Sequence, residues 1–122
     1  MTKTQTYQNI YDHAVICGMR HKRGYKGYET LEKASTALSR MCKGTNKEQR
    51  NNALLLALKL NSDAEREAIE NAKVHRGVHV NDLMASEHWA FAEKKLRLEH
   101  PEFSKQAIIN SLSWGLYWGV LR

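Results

Sequence analysis

Cysteine, proline and glycine are scarce in this sequence, and each scarcity excludes something. Two cysteines, Cys17 and Cys42, in 122 residues cannot build the disulfide framework of a small secreted domain. One proline and seven glycines are too few for an all-β or loop-rich chain, which needs frequent turn residues. The one long apolar-leaning stretch, Ala107–Leu121, runs 15 residues and includes Asn110 and two serines, whereas a spanning helix requires about 20. No apolar leader follows Met1. The motifs of phosphate-binding loops, serine hydrolases and zinc proteases are also missing. The expectation is a cytoplasmic, reduced protein with no membrane contact.

What is present is an ordinary core and an unusual charge balance. Hydrophobic residues make up 42% and charged residues 26%, enough apolar side chain for one modest core and too little charge density for disorder. Lys and Arg number 19 against 13 Asp and Glu, net +6. The excess is confined to one half. Residues 1–60 hold 11 cations and 4 anions, net +7, whereas residues 61–122 hold 8 and 9, net −1. A field of that sign favours polyanions or acidic protein surfaces as partners and says nothing about fold.

Helical punctuation is clear along the chain. Thr6 is positioned to cap a first helix to about Met19, with Tyr7, Ile10, Tyr11, Ala14 and Cys17 at helical spacing. Thr30 opens a second helix to about Lys43, with Gly44 where a left-handed cap is expected. Thr45-Asn-Lys-Glu48 and Ser62-Asp-Ala-Glu65 both fit the capping-box pattern. They predict a Leu-rich helix over about 46–61, with Leu54, Leu56, Leu58 and Leu60 buried, and a separate helix over 63–76 ending before Gly77. Asn81 is placed to cap a fifth helix over about 82–99, with a stripe of Ala85, Trp89, Ala92 and Leu96 ahead of Pro101. Ser104 caps the last, with Phe103 set to staple onto Ile108. The expectation is an all-α, compact single-domain bundle of five or six helices over residues 1–122, with the 46–61 helix at its centre.

The strongest constellation is Arg20-His-Lys-Arg-Gly-Tyr-Lys-Gly-Tyr28. The cations Arg20, Lys22, Arg23 and Lys26 suit a phosphate backbone, because Lys and Arg displace condensed counterions. Tyr25 and Tyr28 offer faces on which unpaired bases can stack, and glycines let a backbone approach a phosphate closely. On the next helix Lys33, Arg40 and Lys43 fall on one side, with Thr36 among them, opposite Leu31, Ala34, Leu38 and Met41. Lys47 and Arg50 continue the charge. The competing reading is a solvated surface whose tyrosines pack back on the core.

Other patterns carry less. The Lys43-Gly44-Thr45 junction could join a helix-turn-helix, but the following helix devotes most of its surface to leucine rather than to base-reading polar residues. His75-x-x-x-His79 has metal spacing, yet Gly77 interrupts it and no adjacent donor completes a set. Cys17 and Cys42 read as core thiols. No metal or other cofactor is expected. His21, Arg23, Tyr25 and Lys26 include the residue types of a metal-independent ribonuclease, a distant third possibility carried by composition alone. The nine residues Thr6–Ala14 resemble the start of phage DNA-mimic antirestriction proteins. Those mimics depend on dense carboxylates, and this chain is basic, so no role carries over.

In the last helix Ser111, Gly115 and Gly119 make a small-residue stripe at spacing four, and Trp114 and Trp118 an aromatic ridge beside it. Two readings follow: burial within the monomer, or a homodimer or partner surface. For the whole chain the composition favours a non-enzymatic nucleic-acid-binding accessory or regulatory protein, acting on DNA or RNA. The alternative is a small inhibitor or adaptor of the kind mobile elements carry, docking its basic surface on an acidic protein.

Overall fold

A computed structural model of the chain describes residues 9–75, 77 and 79–121. The protein is all-α, and no strand occurs among the described residues. The helices are α1 (Ile10–Lys22), α2 (Leu31–Met41), α3 (Lys47–Val74), α4 (Val80–Met84), α5 (Glu87–Glu99) and α6 (Lys105–Leu116), followed by a π-helical turn, Tyr117–Leu121. Contacts group the chain into two compact units with the boundary between Lys59 and Leu60, within α3.

The first unit packs α1 on α2 together with the first half of α3. Asn9 caps α1, its Oδ1 accepting from the Tyr11 N–H at 2.7 Å. The expected cap Thr6 and the stripe residue Tyr7 lie outside the described residues. Thr30 caps α2 as expected, accepting from the Lys33 N–H at 3.0 Å. That helix ends at Met41, with Gly44 at φ +85° in the following turn. The α3 box sits one residue later than Thr45. The Asn46 N–H donates to Gln49 Oε1 at 2.9 Å, and the Gln49 N–H donates to Asn46 Oδ1 at 2.8 Å. Thr45 instead donates its hydroxyl to the Cys42 carbonyl. The core is built from small side chains around Val15, Cys17, Leu38 and Leu54. Leu31, expected on the core face of α2, is 41% exposed at the first position of that helix.

The helices expected over 46–61 and 63–76 are one helix of 28 residues. Its buried stripe runs Ala53, Ala57, Leu60, Ala64, Ala68 and Asn71, which keeps the helical period across Ser62 without a change of phase. Neither Gly nor Pro stands at the junction to stop it, and the Asp63 carboxylate is taken by Arg66 and His100. The same period leaves Leu56 and Leu58 half-buried and Leu55 exposed, so only Leu54 and Leu60 of the expected leucines are fully in the core.

The second unit joins the rest of α3 to α4, α5, α6 and the π turn. The helix expected from Asn81 is split. His79 caps the short α4, and Ser86 caps α5, accepting from the Trp89 N–H at 3.1 Å. Trp89, Ala92 and Leu96 are buried as expected, but Ala85 lies in the break and is exposed. Ser104 caps α6, and the staple residues Phe103 and Ile108 are both buried.

Candidate nucleic-acid interface

The loop after α1 is a hydrogen-bonded structure. Gly24, at φ +72°, closes a Schellman cap: the Tyr25 N–H donates to the Arg20 carbonyl at 2.9 Å and the Gly24 N–H to the His21 carbonyl at 3.1 Å. Tyr25-Lys26-Gly27-Tyr28 then forms a tight turn, with the Tyr28 N–H on the Tyr25 carbonyl and Gly27 at φ +89°. Gly27 occupies the third position, where a positive φ favours glycine. The turn projects Tyr25 (41% exposed) and Lys26 outward.

Several of the residues expected to face a ligand also make bonds that hold the loop together. The Arg20 guanidinium donates to Tyr28 Oη at 2.8 Å and lies 5.4 Å from the centre of the Tyr28 ring. His21 Nδ1 lies 2.8 Å from the Tyr28 carbonyl, to which it donates. Arg20, His21 and Tyr28 therefore clasp the two ends of the loop. Arg50 is similarly engaged, donating to the Thr45 carbonyl and, at 3.3 Å, to Ser35 Oγ, which ties the start of α3 to α2. These bonds fix the shape of the loop and of the junction between α2 and α3.

Gly27, Thr30, Glu32, Lys33, Thr36 and Arg40 line an open groove of about 520 Å³. Lys33 forms an exposed ion pair with Glu29 at 3.4 Å. The Glu29 carboxyl also accepts from the Gly27 N–H at 2.9 Å. The Glu29 backbone N–H, the Gly27 N–H and Lys33 together hold that carboxyl below its ordinary value. Arg40, Lys26, Lys43 and Lys47 are all exposed. Lys43 stands beyond the end of α2 and so leaves the helical ridge on which its spacing had placed it. Lys22 and Arg23 flank the Schellman cap, Lys22 exposed and Arg23 half-buried.

The other expectations resolve differently. His75 Nε2 lies 3.1 Å from His88 Nδ1, while His79 Nδ1 accepts the Asn81 N–H at 3.2 Å as the α4 cap. The His75–His79 spacing thus places the two rings in separate roles. Cys17 and Cys42 are buried free thiols, and burial raises the Cys17 pKa to about 11. The small-residue stripe packs within the second unit. Ser111 donates to Asn61 Oδ1 at 2.7 Å, Gly115 abuts the backbone of Ala64 and Glu65, and Gly119 abuts the Ile69 side chain. Trp114 and Trp118 are half-buried, the latter edge-on to Tyr117 at 5.2 Å.

One cluster escaped the sequence reading. Asp63, Glu99 and His100 bring their donor atoms within 4.8 Å of one another. Asp63 and His100 are 37 positions apart, so only tertiary structure brings them together. His100 Nε2 donates to Asp63 Oδ2 at 2.9 Å, and Arg66 donates to Asp63 Oδ1 at 2.9 Å. Both carboxylate oxygens are thereby occupied, and the cluster acts as a clasp between α3 and the end of α5. Comparison of the chain with protein families, with curated proteins and with solved structures finds no match.

Proposed function

We propose that this protein is a non-enzymatic nucleic-acid-binding factor whose contact surface is the outward face of α2 with the adjoining Tyr25–Lys26 turn. The observation that carries the reading is the open groove of about 520 Å³ with Lys33 and Arg40 in its wall. Lys26 of the neighbouring turn, Lys43 after α2 and Lys47 at the start of α3 are exposed as well. Clustered exposed cations are the electrostatic footprint of phosphate contact. The threonine hydroxyls of the groove, Thr30 and Thr36, are of the type that position phosphate oxygens. Tyr25, half-exposed on a turn held by the Arg20–Tyr28 clasp, offers a ring to an unpaired base.

The test is a gel shift with random single- and double-stranded DNA and RNA at low salt. Binding is expected with a dissociation constant of about 1–100 μM, the ordinary non-specific range. Lys26→Glu with Arg40→Glu should weaken it and lower the salt slope by about one unit per lost phosphate contact. Arg66→Gln with Lys73→Gln should change little, since both cations already face carboxylates at 2.9 and 3.5 Å. A Tyr25→Ala effect as large as the charge reversals identifies single strands as the ligand. Absence of any shift at about 100 μM refutes the reading and leaves an acidic protein surface as the partner of the same cations.

A further inference from the structure

Two histidines meet in the second unit with no carboxylate between them. His75 directly follows Val74, the last residue of α3, and His88 lies in the first turn of α5. His75 Nε2 stands 3.1 Å from His88 Nδ1 at the exposed surface, with the ring planes at 73° and the ring centres 4.8 Å apart. Two neutral imidazoles in that position share one N–H, and the second nitrogen accepts it through its lone pair. Among the described residues neither ring bonds to a carboxylate or to a backbone carbonyl, whereas His100 has Asp63 and His21 has the Tyr28 carbonyl. The surroundings admit a cation. The carbonyls at the C-terminal end of a helix carry partial negative charge, and His75 stands just past the end of α3. Exposed Glu87 precedes His88, while Glu67 and Glu70, which line a small cleft with His88, are each paired with a lysine.

We propose that His75 Nε2 and His88 Nδ1 are the two protein ligands of an open site for a divalent transition metal, Cu²⁺ or Ni²⁺. The separation of the two nitrogens is that of neighbouring ligands on one ion. A metal about 2.0–2.1 Å from each would see them at an angle of about 95–100°, near the right angle of tetragonal and octahedral sites. Coordination costs no net proton, because the ring that donates in the free pair has only to move its hydrogen to its other nitrogen. The donor set decides the class of ion. Calcium and magnesium require oxygen ligands, and two imidazoles offer none. Structural zinc takes four protein ligands and Cu⁺ takes sulfur, but the second unit contains no cysteine. Two imidazoles with water in the remaining positions are the mixed nitrogen and oxygen set that Cu²⁺ and Ni²⁺ accept. The site is independent of the nucleic-acid reading, because it uses none of the cations of the first unit.

The experiment is a calorimetric titration of the full, untagged chain with CuCl₂ at neutral pH in a non-chelating buffer, followed by electron paramagnetic resonance of the complex. One equivalent should bind in the micromolar range, with hyperfine splitting from two imidazole nitrogens. His75→Ala and His88→Ala should each weaken binding by about 100-fold, the advantage that a second linked ligand gives over one alone. Both changes are at the surface and should leave the metal-free melting temperature nearly unchanged. In the parent, Cu²⁺ should raise the melting temperature by tying the end of α3 to α5, and in either variant it should not. His21→Gln, which alters a ring in the first unit, should leave the affinity as it is. Ni²⁺ should bind more weakly than Cu²⁺, with the same dependence on both histidines. Three results would overturn the proposal. One is no binding at millimolar Cu²⁺, which would mean that the two rings serve only as a hydrogen-bonded pair. Another is equal affinity in the parent and in both alanine variants, which would place the ion elsewhere. The third is tighter binding of Zn²⁺ than of Cu²⁺, which would mean a closed site with further protein ligands.

Discussion

Replacing Gly115 by alanine is expected to destabilise the protein by about 2 kcal/mol. A Cβ built at Gly115 would stand 2.8 Å from Glu65 Cα, 3.0 Å from Glu65 N and 3.1 Å from the Ala64 carbonyl carbon. Carbon atoms in ordinary contact lie about 3.5–4.0 Å apart, so α6 would have to retreat from α3 by about 0.7 Å. All three obstacles are backbone atoms of a continuous helix and cannot turn aside. A retreat of that size forfeits a quarter to a half of the dispersion attraction between facing atoms, and overpacking of this kind costs about 1–3 kcal/mol. It would also stretch the buried Ser111–Asn61 hydrogen bond, now 2.7 Å. Alanine recovers about 1 kcal/mol of helix propensity. Taking the upper end of the overpacking range, because the obstacles are rigid, leaves a net loss of about 2 kcal/mol. In urea, followed by circular dichroism, that loss lowers the midpoint by about 1 M for a slope near 2 kcal/mol/M. Gly119→Ala is the control, since its Cβ would meet the Ile69 and Glu65 side chains at 3.0–3.1 Å, which can rotate away. Its effect should stay below about 1 kcal/mol. If Gly115→Ala is as stable as the parent, the close approach of α6 to α3 is wrong. If the parent midpoint rises with protein concentration, the stripe serves self-association instead.

Three further outcomes follow from the same structure. Burial alone would raise the Asp63 carboxyl, but hydrogen bonds from His100 and Arg66 outweigh it and hold the pKa below its ordinary 3.8. Stability from this group is therefore complete above that value and is lost as pH falls through the lowered folded value. Asp63→Asn should flatten that acid limb in a pH series of urea melts, and an unchanged limb would show that the clasp contributes nothing. Burial raises the Cys17 thiol to about 11 and also raises Cys42, so a thiol reagent at pH 8 should label neither in the native protein and both in denaturant; rapid native labelling would contradict the buried placement. Arg50→Met should cost about 1–3 kcal/mol through the lost bonds to Thr45 and Ser35, yet leave the salt slope of nucleic-acid binding unchanged, whereas a changed slope would make Arg50 a phosphate contact.

Fold class, most helix boundaries and several caps were legible because they are local. Thr30 and Ser104 have only to reach an N–H three residues on, and the glycine at 44 has only to accept a positive φ. The errors came where local signals were equivalent. Ser62-Asp-Ala-Glu65 fits a helix start as well as a helix interior, and only the unbroken buried stripe along α3 distinguishes them. Ser86, a single residue with no box behind it, breaks the helix that Asn81 was expected to begin.

The candidate surface divides along the same line. Composition and spacing determined that the cations gather between Arg20 and Arg50, since charge is a property of the chain whatever its shape. Which of them face solvent was decided only by packing. Arg20 and Arg50 have the same chemistry as Arg40, yet the first two close on Tyr28 and Thr45 while Arg40 lines the open groove. The Asp63–His100 clasp, the fit of Gly115 against α3 and the meeting of His75 with His88 are likewise invisible in one dimension. Each depends on where a second helix passes, and the distance between two helices is set by the side chains of both.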